Sequence, residues 1–154
     1  METAYALRAA NDGDAEAISR VIRSALRETN AKDYSPEIIA RLEQNFSPAA
    51  VLDLMHKRMV FVAVSGQRIV GTASLDGKVA RTVFVSPDAQ GRGLGRRLMA
   101  EIEKTARSAG VTTLVVQSSV TAEMFYAKLG FRAVRESYYG DERTIIMERR
   151  LAPL

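Results

Sequence analysis

Between Lys57 and Met59 the chain changes the period of its apolar residues, and this change restricts the available folds more than any other feature. Before it, apolar residues recur three and four apart, the spacing that lays one stripe along a helix. After it they run without interruption, as in strands covered on both faces. The first helix is expected to start from Asp14 as N-cap, with Ala17, Ile18, Val21, Ile22 and Ala25 on its buried side. Ser35-Pro36-Glu37 and Ser47-Pro48 then repeat one start signal, a hydroxyl cap followed by proline at the first helical position. Met59–Val64 and Arg68–Leu75 read as strands closed by Ser65-Gly66 and Asp76-Gly77, which suit tight hairpin turns. Lys78–Val85 adds a third strand and stops at Ser86-Pro87. A helix over Leu94–Ala109, a strand over Val111–Gln117, a helix over Thr121–Leu129 and strands over Phe131–Tyr138 and Arg143–Leu151 follow. With a short opening strand at Tyr5–Arg8 this makes about seven strands in a mixed, mostly antiparallel central sheet flanked by helices, an α/β protein of the α+β kind.

The 154 residues contain no linker or repeat, so the whole chain, 1–154, is expected to form a single domain. Zero Cys and one His leave no disulfide framework, no thiolate nucleophile and no zinc site built from several imidazoles, so no metal is expected. Met1 to Ala10 alternates polar and apolar residues rather than presenting the continuous apolar stretch of a signal peptide. No run approaches the ~20 apolar residues of a membrane span. A soluble, cytoplasmic protein without a membrane partner is the expectation. The net charge of +4 is unevenly placed: up to Gly77 there are 9 basic against 10 acidic residues, and from Lys78 onward 13 against 8. An anionic ligand served by the second half fits this better than a nucleic acid, because aromatic residues are 6% of the chain and no basic run exceeds two residues.

The chemistry concentrates between the third strand of the meander and the following helix, in Gln90-Gly91-Arg92-Gly93-Leu94-Gly95-Arg96. Glycines at alternate positions let a ligand approach backbone N–H groups closely, and a helix N-terminus offers unpaired donors with a partial positive charge. Together they form an anion cradle suited to phosphate. The P-loop pattern is absent, and the spacing and the antiparallel strands before it depart from the dinucleotide fingerprint.

This segment resembles the pyrophosphate loop of the GNAT superfamily of acetyl-CoA-dependent N-acetyltransferases, Gln/Arg-x-x-Gly-x-Gly/Ala, at every specified position. Phe125-Tyr126-Ala127-Lys128-Leu129-Gly130-Phe131 is similar to that family's Phe-Tyr-x-Lys-x-Gly-Phe segment, in the right order and at the right separation. The resemblance implies a central strand splayed from Val111–Gln117, with the pantetheine of acetyl-CoA paired to the backbone of Val83 and Val85 beside Phe84. It implies a pyrophosphate on the amides of Gln90, Gly91, Arg92, Gly93, Leu94, Gly95 and Arg96. It implies further contacts from Ser119 and Phe125, and Tyr126 as the acid that protonates the departing thiolate. The Val85 N–H would meet the thioester oxygen.

An ammonium near pKa 10 has no lone pair, so the amine must also lose a proton. Many relatives carry an acid on the central strand for this, where this chain has Ala80-Arg81-Thr82. Ordered water, Asp33 or Glu43 are the alternatives, and Arg81 and His56 read first as surface residues. The expected activity is transfer of acetyl from acetyl-CoA to a small-molecule or peptide amine by direct attack in a ternary complex. A non-catalytic acyl-CoA-binding module is the alternative, a nucleic-acid binder a third reading, and the resemblance also admits a homodimer.

Overall fold

A computed structural model describes residues 5–153; the Met1–Ala4 part of the alternating N-terminal segment and Leu154 lie outside the described residues. Among the described residues seven strands form one sheet in the order β1-β2-β3-β4-β5-β7-β6: β1 (Ala6–Ala9), β2 (Met59–Ser65), β3 (Arg68–Asp76), β4 (Val79–Val85), β5 (Thr113–Ser119), β6 (Arg132–Tyr139) and β7 (Glu142–Arg150). Every neighbouring pair is antiparallel except β4 and β5. The helices are α1 (Ala15–Glu28), α2 (Pro36–Gln44), α3 (Pro48–Lys57), α4 (Leu94–Ser108) and α5 (Glu123–Lys128). The mostly antiparallel sheet flanked by helices is therefore the architecture that the change of period implies. No helix among the described residues is long and apolar enough to cross a membrane.

The continuous apolar run of β2 has a physical cause. Phe61 and Ala63 pack on the α4 side of the sheet, while Val62 packs against Ile18, Ile22 and Val51 of α1 and α3. Alternate residues thus enter two separate cores, and no position from Phe61 to Ala63 is left for a polar residue. Ser65 pairs with Arg68 and Asp76 with Val79, leaving two-residue turns with Gly66 at φ 63° and Gly77 at φ 61°. The Ser35 and Ser47 hydroxyls accept from the Ile38 and Ala50 amides, as the start signals require. Ser47→Ala is expected to lower stability by about 1 kcal/mol, or roughly 2–4 °C in Tm, measured by thermal melting.

Three boundaries depart in detail from the sequence expectation. Asp14 holds the N-cap position of α1 as expected, but it also ends a 3-10 turn (Asp12–Asp14) and its side chain makes no capping bond to the helix; its carboxylate accepts from the Asn11 amide at 2.8 Å and from Arg8 at 2.7 Å. β5 begins two residues late because the Val111 amide closes the end of α4 on the Ala106 carbonyl (2.9 Å), with Gly110 at φ 83°. It ends two residues late because Ser118 and Ser119 still pair with Ile145 and Thr144, so α5 starts at Glu123, after the Ser119 hydroxyl accepts the Ala122 amide.

Nothing in the sequence pattern announces the irregularity in β4. Thr72 pairs with Phe84 and Ser74 with Arg81, so Thr82 and Val83 together oppose Ala73. This is a bulge, and Thr82 takes it up at φ 57°, the one positive φ outside glycine among the described residues. For a β-branched residue that conformation costs on the order of 1–3 kcal/mol.

Candidate active site

Just before the bulge, β4 and β5 part. They pair only at Val79–Val115 and Ala80–Val116, and from Arg81 onward the two strands share no ladder bonds. The Ser86 amide donates to the Val70 carbonyl at 2.7 Å, which by strand alternation turns Phe84 toward β3. The N–H and C=O groups of Val83 and Val85 consequently face the gap. A cleft of about 490 Å³ occupies it, running from the glycine turn to Tyr126.

The expected site residues converge on this cleft with two exceptions. Val83, Phe84 and Val85 line one wall, Gln90, Gly91, Gly93, Gly95 and Arg96 one end, and Ser119, Phe125 and Tyr126 the opposite wall. The Leu94 side chain is buried in the core at 2% exposure, the Arg92 side chain is exposed, and neither residue lines the cleft. α4 starts at Leu94, and its first helical bond is from the Arg97 amide to the Gly93 carbonyl. The amides of Leu94, Gly95 and Arg96 therefore have no acceptor within the helix.

The glycines matter for different reasons. Gly91 and Gly93 lie at φ 77° and 79°, and a Cβ on either would meet nothing within 4 Å. Their requirement is conformational. A Cβ on Gly95 would lie 3.1 Å from the Phe125 ring, so Gly95 is needed for helix-to-ring packing, not for room in the cradle.

Tyr126 is 6% exposed, with Phe125 and Phe131 set edge-on at centroid distances of 5.1 and 5.7 Å. Burial alone pushes its phenol well above the ordinary tyrosine value, with no neighbouring charge or hydrogen bond opposing it. Gln90 spans the cleft mouth: its amide donates to the Val85 carbonyl and to the Thr29 hydroxyl, both at 3.2 Å.

No carboxylate lines the cleft among the described residues. Asp33 stands at the rim, accepting from the Thr121 hydroxyl at 2.7 Å. Glu43 is paired with Arg27 and lies outside the lining, and exposed His56 sits against Asp12 at 3.0 Å. Arg81 is held between Asp76 (3.1 Å) and Gln117 (2.7 Å). Among the described residues no three His, Cys, Asp or Glu side chains gather as metal ligands.

The sequence reading missed Thr29 and Asn30, which line the cleft after α1, and Thr82, Gln117 and Ala122. Gln117 was findable as a polar residue ending the run Leu114-Val115-Val116, whereas the burial of Asn30 just past the end of α1 leaves no signal in the sequence. Tyr34 takes the Val120 amide on its hydroxyl at 2.7 Å and so fastens the segment before α2 to the loop after β5. Tyr138 and Tyr139 are exposed, with Arg41 stacked 4.7 Å over the Tyr139 ring.

Residues 30–148 match the family model of the acetyltransferase (GNAT) domain. The chain belongs to the GNAT acetyltransferase family. It is 35% identical over 103 residues to an IAA acetyltransferase of Azospirillum brasilense, covering 64% of this chain and 67% of that one. Its fold is similar to that of a GCN5-related N-acetyltransferase from Rhodopseudomonas palustris, at a TM-score of 0.90 and 26% identity over 98% of this chain and 99% of the other. It is similar too to the PaiA N-acetyltransferase of Thermoplasma acidophilum, solved in complex with coenzyme A, at a TM-score of 0.81 and 20% identity over 96% and 99% of the two chains. In this GNAT chain the parted strands and the glycine turn are the two features that give the cleft its length.

Proposed function

We propose that this chain, read as one domain over residues 1–154, is an acetyl-CoA-dependent N-acetyltransferase acting on a primary amine. The observation that carries the reading is the continuous path from the unpaired amides of α4, along the outward-turned backbone of Val83 and Val85, to the Tyr126 phenol. A diphosphate fits the amides and Arg96 at one end, where helix N-termini favour anions. An extended pantetheine arm, itself carrying amide groups, completes the unpaired edge of β4 as an added strand would. The arm's pairing with the Val85 carbonyl displaces the Gln90 amide that holds it in this structure. The fold neighbour solved with coenzyme A supports the same class of ligand.

With the thioester at the end of the arm, its carbonyl oxygen meets a β4 amide that is already oriented when negative charge develops. The amine nitrogen attacks the carbonyl carbon, the C–N bond forms and the C–S bond breaks. Tyr126 donates a hydrogen bond to the departing sulfur. Because burial raises the phenol and disfavours a phenolate, its proton passes to the departing sulfur as the nitrogen's second proton replaces it on the Tyr126 oxygen, which leaves a neutral amide, a thiol and a neutral phenol. The amine's first proton leaves by water or by the rim carboxylate of Asp33.

The missing cleft carboxylate is the observation that favours the second reading, a module that binds acyl-CoA without turnover. Thiol release from acetyl-CoA across a panel of amines separates the two. Release above the rate without amine supports the enzyme. Tight CoA binding with no release on any amine supports the module and overturns the first reading. A homodimer, cytoplasmic location and the absence of nucleic-acid binding stay with this proposal as its further expectations. Sedimentation and a salt series with a duplex probe test the first and last of these.

A further inference from the structure

Two unfavourable arrangements meet at one point on β4. Thr82 sits in the left-handed region at the bulge, and Arg58, between α3 and β2, is half-buried without an ion pair among the described residues. Burial and the neighbouring Arg81 guanidinium both lower the Arg58 pKa, and the carboxylate that acts on it, Asp76, is already paired with Arg81. The surroundings of Arg58 include Ile18, Leu54, Met55 and Val60, which would accommodate an apolar side chain. The fold nevertheless keeps a cation there.

That cation touches the strained residue. Arg58 Nη1 donates to Thr82 Oγ1 at 3.1 Å and lies 3.4 Å from Ser74 Oγ, which itself donates to the Arg81 carbonyl at 2.7 Å. Arg58 and Ser74 thus grip both sides of the bulge from behind the sheet. Neither lines the cleft, whereas Thr82 does. Strain retained against its own cost points to a task for the geometry it maintains, and the residue immediately after the bulge is Val83, the first to turn its backbone into the gap.

We infer that Arg58 is a positioning residue for acetyl transfer: through the Thr82 hydroxyl it fixes the β4 bulge and so the direction in which the Val83 and Val85 amides meet the thioester. This rests on the transferase reading above. Its distinguishing consequence is that activity and stability separate. An unpaired buried cation contributes little to stability and an apolar replacement is tolerated, while small misplacements at a reacting centre are costly in rate.

The test is steady-state kinetics and melting of the full chain carrying Arg58→Met, Arg58→Lys, Thr82→Val or Arg58→Met with Thr82→Val, using acetyl-CoA and the best amine of the panel. Arg58→Met is expected to lower kcat about tenfold, with KM for acetyl-CoA within about threefold and Tm no lower than that of the parent chain. Arg58→Lys, which restores one donor, recovers most of the rate. In the Thr82→Val background Arg58→Met costs less than about twofold more, because the hydroxyl it works through is gone. Unchanged kcat in Arg58→Met, equal losses of rate and Tm, or fully additive effects in the double variant would each overturn the inference while leaving the transferase reading in place. A parent chain that turns over no amine overturns both.

Discussion

Gly93→Val is expected to weaken CoA binding by about a hundredfold or more in titration calorimetry, with the melt of the free protein still cooperative. Gly93 lies at φ 79° with open space around its Cα, so the added side chain meets no wall. What it meets is the steric penalty of a β-branched residue in the left-handed region. The turn relaxes toward negative φ and swings the amides of Leu94, Gly95 and Arg96 off their common focus. Hydrogen bonds to a charged partner contribute about 1.5–3 kcal/mol each, and losing two of them removes about 3–6 kcal/mol, or about 10²–10⁴ in affinity. Gly95→Val fails differently. Its side chain presses on Phe125, which lies against Tyr126, so melting temperature and turnover fall together with affinity. A Kd for Gly93→Val within about twofold of the parent chain would remove the diphosphate from this turn.

Tyr126→Phe is expected to reduce kcat about 10²-fold with CoA affinity and Tm nearly unchanged. The substitution deletes only the hydroxyl, and no hydrogen bond to that hydroxyl supports the fold among the described residues. The ring keeps its edge contacts with Phe125 and Phe131. Any loss of rate is then a loss at the reacting sulfur. A rate within about threefold of the parent chain on the best amine would assign Tyr126 to packing alone.

Much of this site was legible because its requirements are local. A glycine at alternate positions before an amphipathic helix is a statement about φ angles and free amides that holds whatever surrounds it, and Gln90 to Arg96 fold as their spacing implies. The helix starts at Ser35 and Ser47 are local in the same way. What was not legible depends on distant partners. Thr82 reads as an ordinary β-branched strand residue, and only the register of β3 against β4 makes it a bulge. Arg58 lies next to Lys57 in the chain and reads as surface charge until β2 and β3 bring Ser74 to it. The late start of β5 has a similar origin, since a helix end claims the Val111 amide that a strand pattern alone would assign to the sheet.

The two-pair junction between β4 and β5 also bears on how the molecule holds together. The sheet is divided there into a four-strand and a three-strand block with almost no main-chain bonding across the seam, so a ligand lying in the seam acts as mortar. Amide hydrogen exchange should show the two blocks opening as separate units in the free protein, and saturating CoA should slow exchange on Val83 and Val85 and fuse the blocks into one cooperative unit. The coenzyme would then be a temporary eighth strand, whose arrival assembles the sheet and whose departure loosens it once per catalytic cycle.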